Sequence, residues 1–254
     1  MTLPRTPSFR LDGKRALVTG GTRGIGLGAA VALAEAGAAV TIAARTASDV
    51  ETVVNELADA GFAAEGVALD ITDSAAVKAF VDEVEPFEVL VNSAGTARHS
   101  SFVDITPENY RAVMDVNLGA TIFVSQAVVV RLLEAGLPGS IIHISSQMGH
   151  VGGPSRAVYA ASKHAVEGLT KAMAIELGPN NIRVNTVCPT FVETELTAKN
   201  LSNPEFRNWV LSKIKLGRLG IVEDLMGPIV FLASDAAALI TGTSLLVDGG
   251  WTAE

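Results

Sequence analysis

Seven short apolar runs alternate with helical patterns along this 254-residue chain, and that alternation limits its possible folds more than any other feature. Candidate strands occupy 15–19, 39–43, 64–69, 89–92, 140–145, 183–188 and 244–247. Helical patterns fill about 24–36, 47–60, 73–85, 106–135, 157–177 and 222–234. Strands joined through helices pair in parallel, and a parallel sheet is covered on both faces. The expected fold is therefore α/β: a doubly wound, seven-stranded parallel sheet with helices on both faces. Hydrophobic residues at 48% with only 5% aromatics suit such a core, built from aliphatic and small side chains. No internal repeat, low-complexity stretch or Pro/Gly-rich linker interrupts the pattern, so 1–254 reads as one domain. Residues 1–10 read as a loose arm. The stretch 193–218 breaks the alternation; it carries Asn203-Pro204 and Gly217 and is expected to rise above the sheet.

The first strand runs into Thr19-Gly20-Gly21-Thr22-Arg23-Gly24-Ile25-Gly26 and then a helix. A glycine-rich turn at that junction offers backbone N–H groups and the positive end of a helix dipole to a pyrophosphate. Gly20 permits the tight turn, Gly24 lets a ligand approach the backbone, and Gly26 lets helix and strand pack closely. The spacing G-x-x-x-G-x-G differs from the G-x-G-x-x-G fingerprint of dinucleotide sites.

The end of the second strand bears on which dinucleotide. NAD(H) sites place a carboxylate there for the ribose hydroxyls, whereas NADP(H) sites place a cation for the 2′-phosphate. Here Ala43-Ala44 is followed by Arg45 with no acid, and Arg23 is a second cation in reach. NADP(H) is favoured over NAD(H). Three further strand ends suit a ligand: Asp70-Ile71 beside an adenine, Asn92-Ser93-Ala94-Gly95 beside a ribose, and the turn from Pro189 through Val192 to Thr194. In open parallel sheets ligands bind at the carboxyl ends of strands.

Past the fifth strand lie Ser145 and Ser146, then a helix start holding Tyr159 and Lys163. Four residues apart on a helix, these two share a face. A phenol titrating near 10 is a poor proton carrier at neutral pH, and a neighbouring ammonium lowers that value into range for acid–base work.

Taken together, Thr19-Gly20-x3-Gly24-Ile25-Gly26, Asn92-Ser93-Ala94-Gly95, Asn117, Ser146, Tyr159-x3-Lys163 and Asp248-Gly249-Gly250 occur in order. From Gly13 to the C-terminus the chain resembles the compact short-chain dehydrogenase/reductases. The resemblance implies a Rossmann-type sheet and hydride transfer between a nicotinamide and an alcohol or carbonyl carbon. It makes Tyr159 the acid–base, with Lys163 lowering its pKa and holding the nicotinamide ribose. It selects Ser146 over Ser145 as the hydroxyl that holds the carbonyl oxygen, and gives Asn117 a water that connects Lys163 to solvent. Thr194 and the Val192 backbone would orient the carboxamide. It also implies a homotetramer, with 106–135 and 157–177 at the interface. Ser93 and Thr190 depart from the family pattern, which usually has Asn and Gly there.

Implied substrate walls include apolar Val151, Phe191, Leu196 and Trp209 and polar Gln147, His150, Arg98, His99 and Arg156. Several polar groups around one pocket would suit a polyol, sugar or sugar acid, with 193–218 as a mobile lid. Reduction of a 3-oxoacyl group on an acyl-carrier protein is the alternative. Reductases of that type carry basic residues where this chain has Leu137, Ser140 and Asn180. A nucleotide-binding regulator without chemistry is a remote third reading, since such proteins tend to lose the Tyr or Lys.

The net charge of −8 and pI near 5.1 oppose both a carrier-protein and a nucleic-acid partner. The only cysteine, Cys188, precludes an intrachain disulfide and suits a reducing compartment. No metal site is expected, because His99, His143, His150 and His164 lack zinc-type spacing with Cys188. The first residues hold no apolar signal core, and no uncharged apolar run is long enough for a membrane. A cytoplasmic protein with a small-molecule substrate is expected.

Overall fold

The computed structural model describes residues 3–253, apart from the Lys199 side chain. Its strands are β1 (Arg15–Thr19), β2 (Ala39–Ala44), β3 (Ala64–Ala68), β4 (Val89–Asn92), β5 (Gly139–Ile144), β6 (Ile182–Pro189) and β7 (Ser244–Val247). They form one all-parallel sheet in the order β3-β2-β1-β4-β5-β6-β7. The inner strands are made of Val, Ile, Leu and Ala and are buried on both faces, as a covered parallel sheet requires. Each expected strand is present, with ends shifted by no more than a residue.

The helices are α1 (Gly24–Glu35), α2 (Ala47–Asp59), α3 (Ser74–Glu83), α4 (Pro107–Met114), α5 (Thr121–Ala135), α6 (Ala157–Leu177), α7 (Glu195–Leu201), α8 (Pro204–Lys213) and α9 (Glu223–Ala233). Helices α1, α2 and α9 pack on one face through Ala29, Leu33, Val53, Leu57, Leu225 and Ile229. Helices α3, α5 and α6 cover the other through Val77, Val81, Val124, Val128, Leu132 and Ala174. The chain winds outward from β1 to β3, then returns past β1 to β4. The faces exchange at that reversal, which opens a crevice at the carboxyl ends of β1 and β4.

The helical stretch expected over 106–135 is present as Pro107–Ala135, with one irregularity. A π-helical segment, Asp115–Ala120, separates α4 from α5 and contains Asn117. The extra residue per turn leaves backbone groups out of the regular ladder, and such bulges gather at functional sites. Pro107–Ala135 as a whole has the length and apolarity to cross a membrane. In this fold its inner side packs on the sheet instead, through Val124, Val128 and Leu132.

Described arm residues 3–10 have no regular structure, and Met1 and Thr2 lie outside the described residues. The arm is nevertheless tied down at its end: Arg10 Nη1 donates to the Glu35 carbonyl and Phe9 packs on Phe231. The excursion 193–218 folds into α7 and α8. Val210 and Ile214 there, and Leu219 just after it, pack with Phe191, Met148 and Trp251 in a third apolar cluster.

Candidate active site

Parallel registration sets the carboxyl ends of the central strands side by side: Thr19 pairs with Asn92, Asn92 with His143, and His143 with Thr186. After β1 the backbone turns at Gly20 and Gly24, with φ of +66° and +53°, a left-handed conformation that favours glycine. A Cβ at Gly20 would lie 2.8 Å from Ala94 Cα, and one at Gly26 would lie 2.1 Å from the Gly20 carbonyl oxygen. Gly24 faces the Thr194 methyl, 3.4 Å from where its Cβ would be. The turn thus runs between Ala94 and Thr194 with bare backbone exposed to the crevice and α1 starting behind it. This cradle fits a dinucleotide pyrophosphate.

Around it, Ile25 packs into the core, Thr22 is half-buried, and Arg23 is exposed with Nη1 3.7 Å from Glu195 Oε2. Arg45 is exposed at the end of β2, unopposed by an acid on its own strand. Asp70 accepts hydrogen bonds from Thr72 N and Oγ1 at 2.9 and 2.7 Å, which hold its carboxyl below the usual range, with a smaller contribution from Arg45. Asp70 is thus engaged in a local turn rather than left as a free carboxylate at the end of β3. Ile71 packs into the core below it. Asn92 points into the protein, its Nδ2 2.9 Å from Ser125 Oγ and 3.1 Å from His143 Nδ1. It therefore braces β4, and the strand end at Ser93–Gly95 is left to face the crevice. Thr19 Oγ1 fixes that end by accepting from Ser93 N at 3.2 Å.

Helix α6 carries Tyr159 and Lys163 on one face, as their spacing requires. Lys163 is buried, and its Nζ donates to the Ile144 carbonyl at 2.8 Å and sits 5.7 Å from the Tyr159 ring centre. Burial lowers its pKa to about 8, opposed by the Cys188 and Glu167 charges. Tyr159 is half-buried. Burial raises its phenol above the ordinary value, while Ser146 and then Arg156 act to lower it. Lys163 Nζ is engaged by the Ile144 carbonyl, and Ser146 and Arg156 are the neighbours that act to favour the phenolate.

The Ser146 hydroxyl donates to Gln147 Oε1 at 2.7 Å and accepts from Met148 N at 3.1 Å. Asn117 clamps the loop after β4: its Oδ1 accepts from Thr96 N at 2.8 Å, and its Nδ2 donates to Thr96 O at 3.0 Å and Ser162 Oγ at 3.1 Å. Thr96 and Ser162 were not singled out in the sequence, where nothing in their surroundings marks them.

With this geometry in place, comparison with known proteins identifies the lineage. A family profile described as enoyl-(acyl carrier protein) reductase matches residues 20–252. The chain is a short-chain dehydrogenase/reductase. It is 43% identical over 245 residues to D-erythrulose reductase of Gallus gallus, covering 96% of this chain and 98% of that one. It is 41% identical to L-xylulose reductase of Bos taurus over 96% of this chain and 99% of that one. A gluconate 5-dehydrogenase from Burkholderia cenocepacia, solved in complex with NADP and tartrate, superposes with a TM-score of 0.94 at 40% identity over 97% of this chain and 98% of that one.

In this short-chain dehydrogenase/reductase the expected cleft walls divide. Arg156 lies beside Tyr159, buried, with its guanidinium 5.2 Å from the Phe191 ring centre and 5.7 Å from that of Phe206. Its Nη1 donates to His99 Nε2 at 2.6 Å, and burial with the Arg156 charge holds His99 down at about 4, hence neutral. His99 meets the Tyr159 ring edge-on at 6.2 Å. Phe191, Val151 and Trp209 belong to the apolar cluster that Tyr159 also touches. Trp209 packs edge-on against Trp251, a buried C-terminal residue that sequence reasoning passed over.

Three expectations for the walls are corrected. Leu196 is 64% exposed, on the outer side of α7. Arg98 is exposed, with no contact to this group among the described residues. His150 turns away, its Nε2 3.6 Å from Cys188 Sγ and 3.8 Å from Glu167 Oε1. The absence of zinc-type spacing did not anticipate this cluster, because three separate elements bring it together.

The two family departures have local consequences. Ser93 contributes mainly backbone. Thr190 places a buried Oγ1 without a partner at the end of β6, next to Pro189. The C-terminal Asp248-Gly249-Gly250 is a brace: Asp248 accepts from Gly250 N, Thr252 N and Thr252 Oγ1, and Gly249 lies against Ile214 below α8.

Proposed function

We propose that the protein interconverts the secondary alcohol and ketone of a small polyhydroxylated substrate, a polyol, sugar or sugar acid, with NADP(H) preferred to NAD(H). The observation that carries this reading is the grouping of Tyr159, Ser146 and Arg156, with Lys163 and Asn117 facing Gly95 next to Ala94, which lies against the Gly20 turn. The relatives act on ketoses, and the Burkholderia enzyme holds a small hydroxylated dicarboxylate with NADP. Both facts support the substrate class.

In this reading Gly20, Thr22, Gly24, Ile25 and Gly26 hold the pyrophosphate, and Arg45 and Arg23 meet the 2′-phosphate. Ala94 and Gly95 lie along a ribose. The Val192 backbone and Thr194 orient the carboxamide. A nicotinamide bound there would supply or take up the hydride at the carbinol carbon. Tyr159 exchanges a proton with the substrate oxygen. The Ser146 hydroxyl turns from Gln147 to that oxygen and donates to it as negative charge develops, a donor already placed by Met148 N. Lys163 supplies the positive charge beneath the site, and Asn117 keeps the Gly95–Thr96 backbone where a ribose would lie. The lid α7–α8 closes over Arg156 and Phe191 and excludes water.

Arg156 has no carboxylate partner among the described ion pairs, and a buried guanidinium without one suits the carboxylate of a sugar acid. Reduction of a 3-oxoacyl thioester is the second reading, favoured by the wording of the family profile. Against it, Ser140, where such reductases carry a basic residue, is buried with its hydroxyl on the Leu232 carbonyl. Exposed Tyr110, Phe123, Val130, Leu133 and Ile175 on α4, α5 and α6 support a homotetramer, in the cytoplasm where Cys188 stays reduced. The test is a rate panel of keto-aldonates, neutral ketoses and a 3-oxoacyl thioester with each reduced nicotinamide. Turnover confined to the thioester would replace this proposal with the second reading.

A further inference from the structure

Beneath the catalytic helix lies a second polar cluster that the reaction does not use. Tyr159, Lys163 and Glu167 follow one another at intervals of four along α6, so Glu167 sits a turn below Lys163 on the same buried stripe. Glu167 Oε1 is 3.3 Å from Cys188 Sγ on β6 and 3.8 Å from Nε2 of His150, which follows the short helical turn after Ser146. Cys188 Sγ and His150 Nε2 are 3.6 Å apart. A tetrahedral zinc site with bonds of about 2.0–2.3 Å has ligand–ligand edges of about 3.3–3.6 Å. Two of the three separations fall in that range and the third, at 3.8 Å, exceeds it by about 0.2 Å, so the three atoms outline one slightly open face of such a tetrahedron.

The surroundings are those of a built site. Glu167 Oε2 accepts from Thr186 Oγ1 at 3.0 Å and Ser244 Oγ at 2.5 Å, which aims Oε1 at the thiol and imidazole. Metal-binding carboxylates are oriented in this way by their outer partners. Ser145, 2% exposed, has a hydroxyl with no hydrogen-bond partner of normal geometry among the described residues, and that oxygen shares the space around Gly149 with Glu167 Oε1. His150 is the one partly exposed member of the three, 30% open at its side chain, and gives a path from solvent. Lys163 and His143 are the other titratable groups near Glu167. With a thiolate, a carboxylate and a neutral imidazole, a divalent cation would make the cluster neutral.

We propose that His150, Glu167 and Cys188 form a zinc-class cation site, separate from the reacting centre, whose fourth position is a water held by Ser145. A soft thiolate with imidazole and carboxylate selects zinc over magnesium or calcium. Binding releases the Cys188 thiol proton to solvent, and no other bond changes. The cation joins the loop after β5 to α6 and β6, adding to the hydrogen bonds between them, and so stiffens the backbone that carries Ser146 and Gln147. This inference is independent of the substrate.

Cobalt(II) titration of the metal-stripped full-length protein tests it. The expected result is a thiolate-to-cobalt charge-transfer band that saturates at one cobalt per chain and is displaced by zinc, the stronger binder of the two. Cys188→Ser removes the band. His150→Ala, at a part-exposed position where folding is preserved, weakens cobalt binding at least tenfold. Zinc raises the thermal midpoint of the wild type and not of His150→Ala. No band, a band that persists in Cys188→Ser, or equal affinity in wild type and His150→Ala would overturn the proposal.

Discussion

Replacing Arg156 by Met separates substrate recognition from proton transfer. Methionine keeps most of the apolar stem that fills the space against Phe191 and Phe206, and removes the charge. A guanidinium bonded to a carboxylate contributes about 1.5–3 kcal/mol. At about 1.4 kcal/mol per decade, kcat/KM for a keto-aldonate should fall roughly 10- to 150-fold. A neutral ketose of equal chain length loses no such bond. Arg156 also lowers the Tyr159 pKa, so its removal moves the phenol-dependent limb of the pH–rate profile upward for both substrates alike. Initial rates for the pair of ketones across a pH series resolve the two effects. An equal loss for ketose and keto-aldonate at every pH would refute a carboxylate-binding role, leaving Arg156 to act through Tyr159 alone.

Four shorter expectations accompany it. Tyr159→Phe should keep cofactor affinity in fluorescence titration while lowering turnover at least ~100-fold, the scale of a lost positioned acid–base. Arg45→Ala should narrow the ratio of NADH to NADPH dissociation constants, and a wild-type preference for NADH would remove the basis for the Arg45 assignment. Gly26→Ala drives a methyl to 2.1 Å from the Gly20 carbonyl, so cofactor binding should vanish or the thermal midpoint fall steeply; normal affinity and midpoint together would contradict the turn geometry. His143 is buried and held at about 4, down from 6.5, by burial above all, with Glu167 opposing and Lys163 adding. A histidine depressed in the folded state stabilises fully above pH 6.5 and loses that contribution as pH falls to about 4. The span is about 3 kcal/mol at most. Denaturant unfolding should show this acid-side loss, absent in His143→Gln.

Much of the fold is legible because its strands are short runs closed by turn residues, the inner ones apolar and buried on both faces, so each lies within a residue of its expected ends. The glycine cradle is legible for a different reason. Only glycine tolerates a left-handed turn whose missing Cβ would strike Ala94, so the sterics are written in the residue type. The bulge at Asp115–Ala120 is not, since Asp-Val-Asn-Leu-Gly-Ala carries no proline, and the partners that hold Asn117 within it, Thr96 and Ser162, lie far away in sequence. Side-chain direction was equally hidden. His150 lies four residues from Ser146, near enough in sequence to be counted with the cleft, yet the short helical turn at Gln147–Gly149 points it beneath α6 instead.

The same helix explains why catalytic and metal-ligating chemistry sit so close without merging. Residues 159, 163 and 167 advance by four, close to the helical repeat, and carry a phenol, an ammonium and a carboxylate down one buried stripe. The phenol emerges at the carboxyl ends of the strands, where ligands gather. The ammonium is pinned midway on the Ile144 carbonyl, and the carboxylate reaches the hydroxyls of Thr186 and Ser244 deeper down. Lys163 therefore feels the anion below it as well as the site above, which opposes the burial that pulls its pKa down to about 8. Glu167→Gln keeps most hydrogen bonds at that level while removing the charge. The Lys163 ammonium should then titrate lower still, and an ionisation in the pH profile of kcat/KM separate from the phenol's should move toward acid. An unshifted profile would mean that the two levels of the stripe do not communicate.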